Sequence, residues 1–254
     1  HFDKMCHGCH RPSTTLTVCK TCDYARFCSE CQSDEKQEKH RDSECGMIAK
    51  LRSLHPFSNG EISLGICIVR IYEMVMSSQE RALEVLRLQS HRIEFDGLGR
   101  KGHHYMPALM AGYLLFPPTV VDHGDEVTIQ GCTPPWVHEN LVTLSAIHQT
   151  NSYRFRRFYN SPPEAEGGVF LQLAMFNHSC NPNCRLESEN GRLYMVALRD
   201  ITPGEEITTN YLPIIDDLKD RHHALHSLFF FSCDCGSLEQ MALERTEIEL
   251  KQNS

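Results

Sequence analysis

The sequence predicts an α+β protein with a small two-zinc finger, then a helical insertion, then a β-rich core. Three observations carry this expectation. Eight metal-ligand residues crowd into the first 45 positions, apolar stripes at helical spacing run through 46–160, and turn-and-strand chemistry fills 161–215. A tail, 216–254, follows. With 254 residues and 41% hydrophobic content the chain can bury a core, so disorder is not the default.

Residues 6–45 read CHGCHRPSTTLTVCKTCDYARFCSECQSDEKQEKHRDSEC. They hold three C-x-x-C pairs (Cys6/Cys9, Cys19/Cys22, Cys28/Cys31), then His40 and Cys45. Zinc takes four N or S ligands in a closed structural site, so eight ligands complete two sites and leave none over for catalysis. A segment this short lacks the area for a core of its own, and metal binding must largely fold it. His40 and Cys45 enclose four residues, and an i,i+5 pair does not share one α-helical face; the helix is expected to end or bend there. His7 and His10 lie beside ligands and read as solvated neighbours.

The first thirty residues carry four basic side chains and no apolar stretch of the secretory kind. That points to the cytoplasm or nucleus, where cysteines serve as ligands or buried hydrophobes rather than in disulfides. Cys67 and Cys132 stand apart from the other cysteines and are expected in core packing. The net charge of −8, with seven Lys/Arg against eight Asp/Glu in residues 1–45, disfavours direct DNA binding and suits a basic partner. Residues 102–121 lack formal charge but hold His103, His104, Pro107, Pro117 and Pro118. They are expected as buried loop and strand, with no membrane partner.

In the middle region, EISLGICIVRIYEMVM and SSQERALEVLRLQ predict two helices, the second capped at Ser77/Ser78 with Glu80 placed for a capping box. A third begins at Thr133-Pro134-Pro135 and carries Val137, Leu141, Leu144 and Ile147 on one face. Beyond it, SENGRLYMVAL holds the Asn190-Gly191 hairpin signal, and TPGEEITTNYL reads as a turn followed by strand. Glu205 and Glu206, adjacent on an extended chain, face opposite sides and do not form an acid–base pair. Leu218, Leu225 and Leu228 then mark a short helix that delivers FFF to Cys233.

The head resembles the MYND zinc finger. That resemblance implies that Cys6, Cys9, Cys28 and Cys31 hold one zinc and that Cys19, Cys22, His40 and Cys45 hold the second. Two spacings depart from the family, which has three residues inside the third pair and three between its last His and Cys. The run VFLQLAMFNHSCNPNC, then GEEITTNYL, then FFFSCDC is similar in wording and order to the SET lysine methyltransferase core, in its SET-and-MYND branch. This implies S-adenosylmethionine-dependent methylation of a protein lysine on a histone tail or other basic peptide. The methyl passes by in-line displacement, so positioning and desolvation carry the rate. The amine must first lose its proton against a free pKa of about 10.4, which a narrow apolar channel favours.

The resemblance makes Tyr211 the catalytic tyrosine and assigns Asn177, His178, Tyr211 and Phe231 to the cofactor, together with Asn151 in IHQTNSYRF. In the family a third zinc joins the NHSC cysteine to three from a C-x-C-x-x-C tail. Here Cys180, Cys233 and Cys235 remain, Leu238 stands in the last place, and water or Glu239 would have to complete the set. Family members carry their first strands and a glycine-rich loop ahead of the finger, whereas this sequence opens five residues before Cys6. Asp96-Gly97-Leu98-Gly99 is a weak stand-in for that loop. A fragment or truncated form is therefore expected. The competing expectation is a noncatalytic adaptor whose finger binds a proline-containing peptide.

Overall fold

The computed structural model describes residues 5–32, 35–100, 102–122, 124, 127–154, 167–189, 192–213, 215 and 217–233. The chain divides into two compact units, one of His1–Leu171 with Ser188–Arg192 and one of Gln172–Glu187 with Leu193–Ser254.

In the first unit the finger opens with an antiparallel ladder of β1 (Thr17–Val18) and β2 (Arg26–Phe27), Thr17 opposite Phe27. A 3-10 turn, Ser29–Cys31, spans the short third cysteine pair. Helix α1 (Glu35–His40) then widens into a π-helical turn, Arg41–Cys45, before α2 (Gly46–Leu54). The backbone stays right-handed helical throughout, with φ −61° at His40 and −58° at Cys45. The helix thus does not end there; it widens instead. A π turn bonds i to i+5, which brings an i,i+5 pair onto one side and absorbs the extra residue. Tyr24, Ala25 and Phe27 of the finger are buried in the same core as Ile48, Leu51 and Ile62.

Helix α3 (Asn59–Ser77) starts with a capping box in which Ser58 Oγ accepts from Glu61 N and Glu61 accepts from Ser58 N (2.8 Å). Helix α4 (Gln79–Leu86) is capped by Ser78, which accepts from Arg81 N at 3.1 Å. With Ser78 as the cap, Arg81 and not Glu80 occupies the third helical position, so no box forms there. Helix α5 (Arg92–Gly97) closes through Leu98 into Gly99 at φ +70°. The Gly97-Leu98-Gly99 stretch is therefore a helix terminus, where glycine takes the left-handed backbone that a side chain resists.

Helix α6 (Gly102–Leu115) overturns the loop-and-strand expectation for most of 102–121. Pro107 inside it removes one hydrogen bond, an interior penalty of about 3 kcal/mol. Ala108, Met110, Ala111 and Leu114 are all buried, and a buried Met or Leu returns about 1.5–3 kcal/mol each. Two such side chains offset the proline. Helix α6 lies against α3 at Gly65, where an added Cβ would stand 2.8 Å from Leu114 Cδ1 and 2.9 Å from the Met110 carbonyl carbon. Gly65→Ala is expected to lower the thermal midpoint. Overpacking costs about 1–3 kcal/mol and helix propensity returns about 1; a midpoint at or above wild type would refute the close approach.

A hairpin of β3 (Thr119–Asp122) and β4 (Val127–Gln130) follows. Helix α7 (Pro135–Asn151) starts with proline in its first turn and buries Val137, Leu141, Leu144 and Ile147 as expected. It also buries Val142, Ser145 and Ala146, because it packs against α6 on one side and α3, α4 and α5 on others. Strand β5 (Ser152–Arg154) pairs antiparallel with β6 (Gly167–Val169). Cys67 is half-buried, but Cys132 is exposed, with its thiol toward the Gln130 carbonyl, and is not a core residue. Among the described residues no helix is long and apolar enough to cross a membrane.

In the second unit β7 (Asn177–His178) precedes the hairpin strands β8 (Cys184–Glu189) and β9 (Arg192–Ala197). The Asn190-Gly191 turn itself lies outside the described residues. Strand β10 (Thr208–Thr209) pairs with β7 in parallel, Thr208 beside Asn177 and Thr209 beside His178. Buried Asn183 fastens this arrangement: its amide donates to Glu205 Oε1 and Glu206 O, and its Oδ1 accepts from Thr208 N (2.8 Å). Helix α8 (Leu218–Phe229) is capped by Asp217 and buries Leu225, while Leu228 is 38% exposed. It stops at Phe230, whose left-handed φ of +58° reverses the chain.

Candidate functional site

The finger's eight ligands converge into two clusters, Cys6/Cys9/Cys28/Cys31 and Cys19/Cys22/His40/Cys45, the donor atoms of each within 4.8 Å of one another. Measured edges are 3.8 Å for Cys9–Cys28 Sγ, 3.6 Å for Cys19–Cys45 Sγ and 3.4 Å for Cys22 Sγ to His40 Nε2. Zinc–sulfur and zinc–nitrogen bonds of about 2.3 and 2.0 Å give tetrahedral edges of about 3.5–3.8 Å, so both clusters fit the ion. The turns also favour thiolates. Burial works against ionisation at Cys19, yet the backbone N–H groups of Cys22 and Thr21 bring its thiol down to about 6.

Sequence reasoning missed Glu44. Its side chain is only 7% exposed, and its Oε1 lies 3.1 Å from His40 Nδ1, on the ring edge opposite Cys22. A proton donated from Nδ1 to this carboxylate leaves Nε2 with its lone pair toward the metal. Arg70 of α3 donates to the same carboxylate twice, from Nε at 3.0 Å and Nη2 at 2.9 Å. His7 completes the cluster with a hydrogen bond to Glu44 and is 9% exposed, buried rather than solvated as expected. Burial alone would raise the Glu44 carboxyl; the hydrogen bonds from His40 and His7 and the Arg70 charge hold it well below the ordinary range. The i,i+4 spacing of His40 and Glu44 was the available signal.

In the second unit the parallel β7–β10 pair sets Asn177 and His178 beside the strand that leads to Tyr211. The Tyr211 hydroxyl donates to Phe176 O at 2.7 Å, and its backbone N–H donates to His178 Nδ1 at 3.0 Å. Around its ring stand His178 at 5.3 Å, Phe229 at 5.1 Å and Phe231 at 6.3 Å between centroids. The reversal at Phe230 lets Phe229 and Phe231 face the same tyrosine. Burial, then the Glu206 charge, raises the Tyr211 phenol, so it stays protonated. Burial, with Arg221 and His222 nearby, pushes His178 down to about 4, so the imidazole is neutral. Exposed Asn177 donates to Glu206 Oε1 at 2.6 Å. Asn151 belongs to the first unit, where its amide donates to Gln89 O and Ile147 O.

A third group of donor atoms is His178, Cys180 and Cys233; Cys233 is in a disulfide, contrary to the expectation for the cysteines, and could serve as a thiolate ligand only when reduced. Cys180 Sγ lies 3.8 Å from Cys233 Sγ, 3.3 Å from His178 Nε2 and 3.7 Å from His222 Nε2. Cys184 begins β8, buried and outside this group. Cys235, Leu238 and Glu239 lie outside the described residues.

The SET domain family model matches residues 17–212. N-lysine methyltransferase SMYD2 of Gallus gallus is 23% identical over 247 residues, 97% of this chain and 52% of that protein. Histone-lysine N-methyltransferase SMYD3 is 23% identical in Mus musculus over 232 residues and 24% in Homo sapiens over 233, each covering 91% of this chain and 50% of the relative. The chain thus spans about half the length of the curated relatives it matches. A family match over most of the chain, with two four-ligand cysteine clusters in its head, means that this chain belongs to the SET domain family, in its SET-and-MYND branch.

Proposed function

We propose that this chain carries a protein-lysine N-methyltransferase site that uses S-adenosylmethionine, with Tyr211 as its catalytic residue. The observation that supports it most is the packing of the Tyr211 ring against His178, Phe229 and Phe231 in one unit, with its hydroxyl donating to Phe176 O. Bound S-adenosylmethionine supplies a methyl group on a cationic sulfonium. Phe231, Asn177 and His178 are the residues of the second unit that would hold it. The aromatic wall of His178, Phe229 and Phe231 disfavours a charged amine and so favours the neutral nucleophile. The Tyr211 hydroxyl donates its hydrogen bond to Phe176 O, which leaves its oxygen lone pairs to orient the amine without adding charge.

We assign residues 1–45 to the finger, 46–160 to the helical insertion, 161–215 to the core and 216–254 to the tail. The finger takes two zinc ions; Cys180, Cys233 and Cys235 contribute to a third. The substrate is a protein with an exposed lysine on a basic segment, a histone tail included, which suits the net charge of −8. The finger offers a second surface for a proline-containing peptide, and the working compartment is the cytoplasm or nucleus.

Calorimetric titration with S-adenosylmethionine, followed by transfer of labelled methyl to histones or lysate proteins, tests this reading. Saturable binding and label on lysine are expected. Absence of both heat and label would leave the adaptor reading in its place.

A further inference from the structure

We infer that Glu206 is a positioning residue of the cofactor site, where its carboxylate turns the Asn177 carboxamide so that the side-chain oxygen faces S-adenosylmethionine. The assignment rests on reading Asn177 as a cofactor residue and adds the group that orients it.

The parallel pairing of β7 with β10 sets Thr208 beside Asn177, and Glu206 stands just ahead of that strand. Asn177 Nδ2 donates to Glu206 Oε1 at 2.6 Å. A carboxylate only accepts, so this contact fixes which end of the carboxamide carries the nitrogen and leaves Oδ1 as an acceptor on an exposed residue. The group that such an oxygen meets is an N–H donor. S-adenosylmethionine offers two, its α-ammonium and its adenine amine. Released from Glu206, the carboxamide would turn freely about its broad terminal torsion and present either end.

The Glu206 side chain is not needed to hold its own segment of backbone. Its carbonyl accepts from Asn183 Nδ2 at 2.8 Å, and Thr208 N donates to Asn183 Oδ1 at 2.8 Å. The neighbouring carboxylate, Glu205, is committed to the turn, where it accepts from Arg199 Nη1 at 3.2 Å, Thr202 N at 3.1 Å and Asn183 Nδ2 at 2.9 Å. One acid closes the turn and the other reaches β7. After burial, it is the Glu206 charge that raises the Tyr211 phenol, so this carboxylate also stands within reach of the catalytic residue.

Calorimetric titration of the full chain with S-adenosylmethionine, paired with the melting temperature in its absence, tests the assignment. In Glu206→Ala the Kd is expected to rise about tenfold, the weight of one hydrogen bond, while the melting temperature hardly moves. Glu206→Gln keeps an oxygen acceptor for Asn177 and is expected to bind within about twofold of wild type. In a chain that already carries Asn177→Ala, Glu206→Ala is expected to add no further loss, because its effect passes through that side chain. Wild-type affinity in Glu206→Ala, or a loss that multiplies with that of Asn177→Ala, would overturn the inference and leave the cofactor reading standing. Glu206→Gln as weak as Glu206→Ala would make charge the cause and also overturn it. A loss of affinity matched by a fall in melting temperature would mark Glu206 as scaffold, with the same result. Absence of heat in wild type would overturn the inference together with the cofactor reading.

Discussion

On the proposed function, Tyr211→Phe is expected to lower methyl transfer by about 10²-fold or more, the loss that follows when a group that orients the nucleophile is removed. The substitution keeps the ring and therefore its packing against His178, Phe229 and Phe231. It deletes one hydrogen bond, to Phe176 O, worth about 1 kcal/mol of stability. Melting temperature and affinity for S-adenosylmethionine should hardly move while turnover collapses. That separation distinguishes a chemical role from a packing role. Single-turnover transfer of labelled methyl is the measurement, and a variant that transfers at the wild-type rate ends the assignment of Tyr211. A variant that loses both melting temperature and cofactor affinity marks the tyrosine as scaffold.

Glu44→Ala is expected to loosen the finger from the helices beneath it and to release its zinc about 10–100-fold faster, the usual effect of removing a ligand's hydrogen-bond partner. It also strands the Arg70 guanidinium and His7. Breaking one half of a buried pair costs about 3–5 kcal/mol, and the lower end applies because Arg70 is 44% exposed and water takes over part of its load. Glu44→Gln keeps an oxygen acceptor for His40 Nδ1 and should recover much of the zinc retention but less of the stability. The acid limb follows the same carboxylate. Its pKa is held below the ordinary value, so its contribution is complete above about pH 4.5 and is lost as pH falls further. Thermal unfolding and chelator-monitored release read both effects. Release from Glu44→Ala at the wild-type rate would show that His40 needs no support.

The finger's ligand residues were legible because zinc imposes a count and a spacing that survive without any knowledge of the fold. Tyr211 and the Asn177-His178 pair were singled out only through their wording, since a tyrosine after a two-residue strand has no local mark of function. Helix α6 was hidden by Pro107, whose penalty is local and visible while the burial that outweighs it comes from α3 and α7. Glu44 and Asn183 share another kind of invisibility. Each is defined by partners distant in sequence, Arg70 for the first and Glu206 and Thr208 for the second. No periodicity announces such meetings. The widened turn at Arg41–Cys45 escaped because spacing rules assume one helix geometry.

That turn separates two registers that a helix ordinarily locks together. One residue added to an α-helix rotates everything beyond it by about 100°, which would swing Ile48 and Leu51 out of the core. Here the added residue is taken up within five positions, and both side chains remain fully buried. The finger can thus be lengthened at its metal end without retuning the hydrophobic end. Its ligand interval behaves as an adjustable joint, and the apolar face downstream as the fixed part.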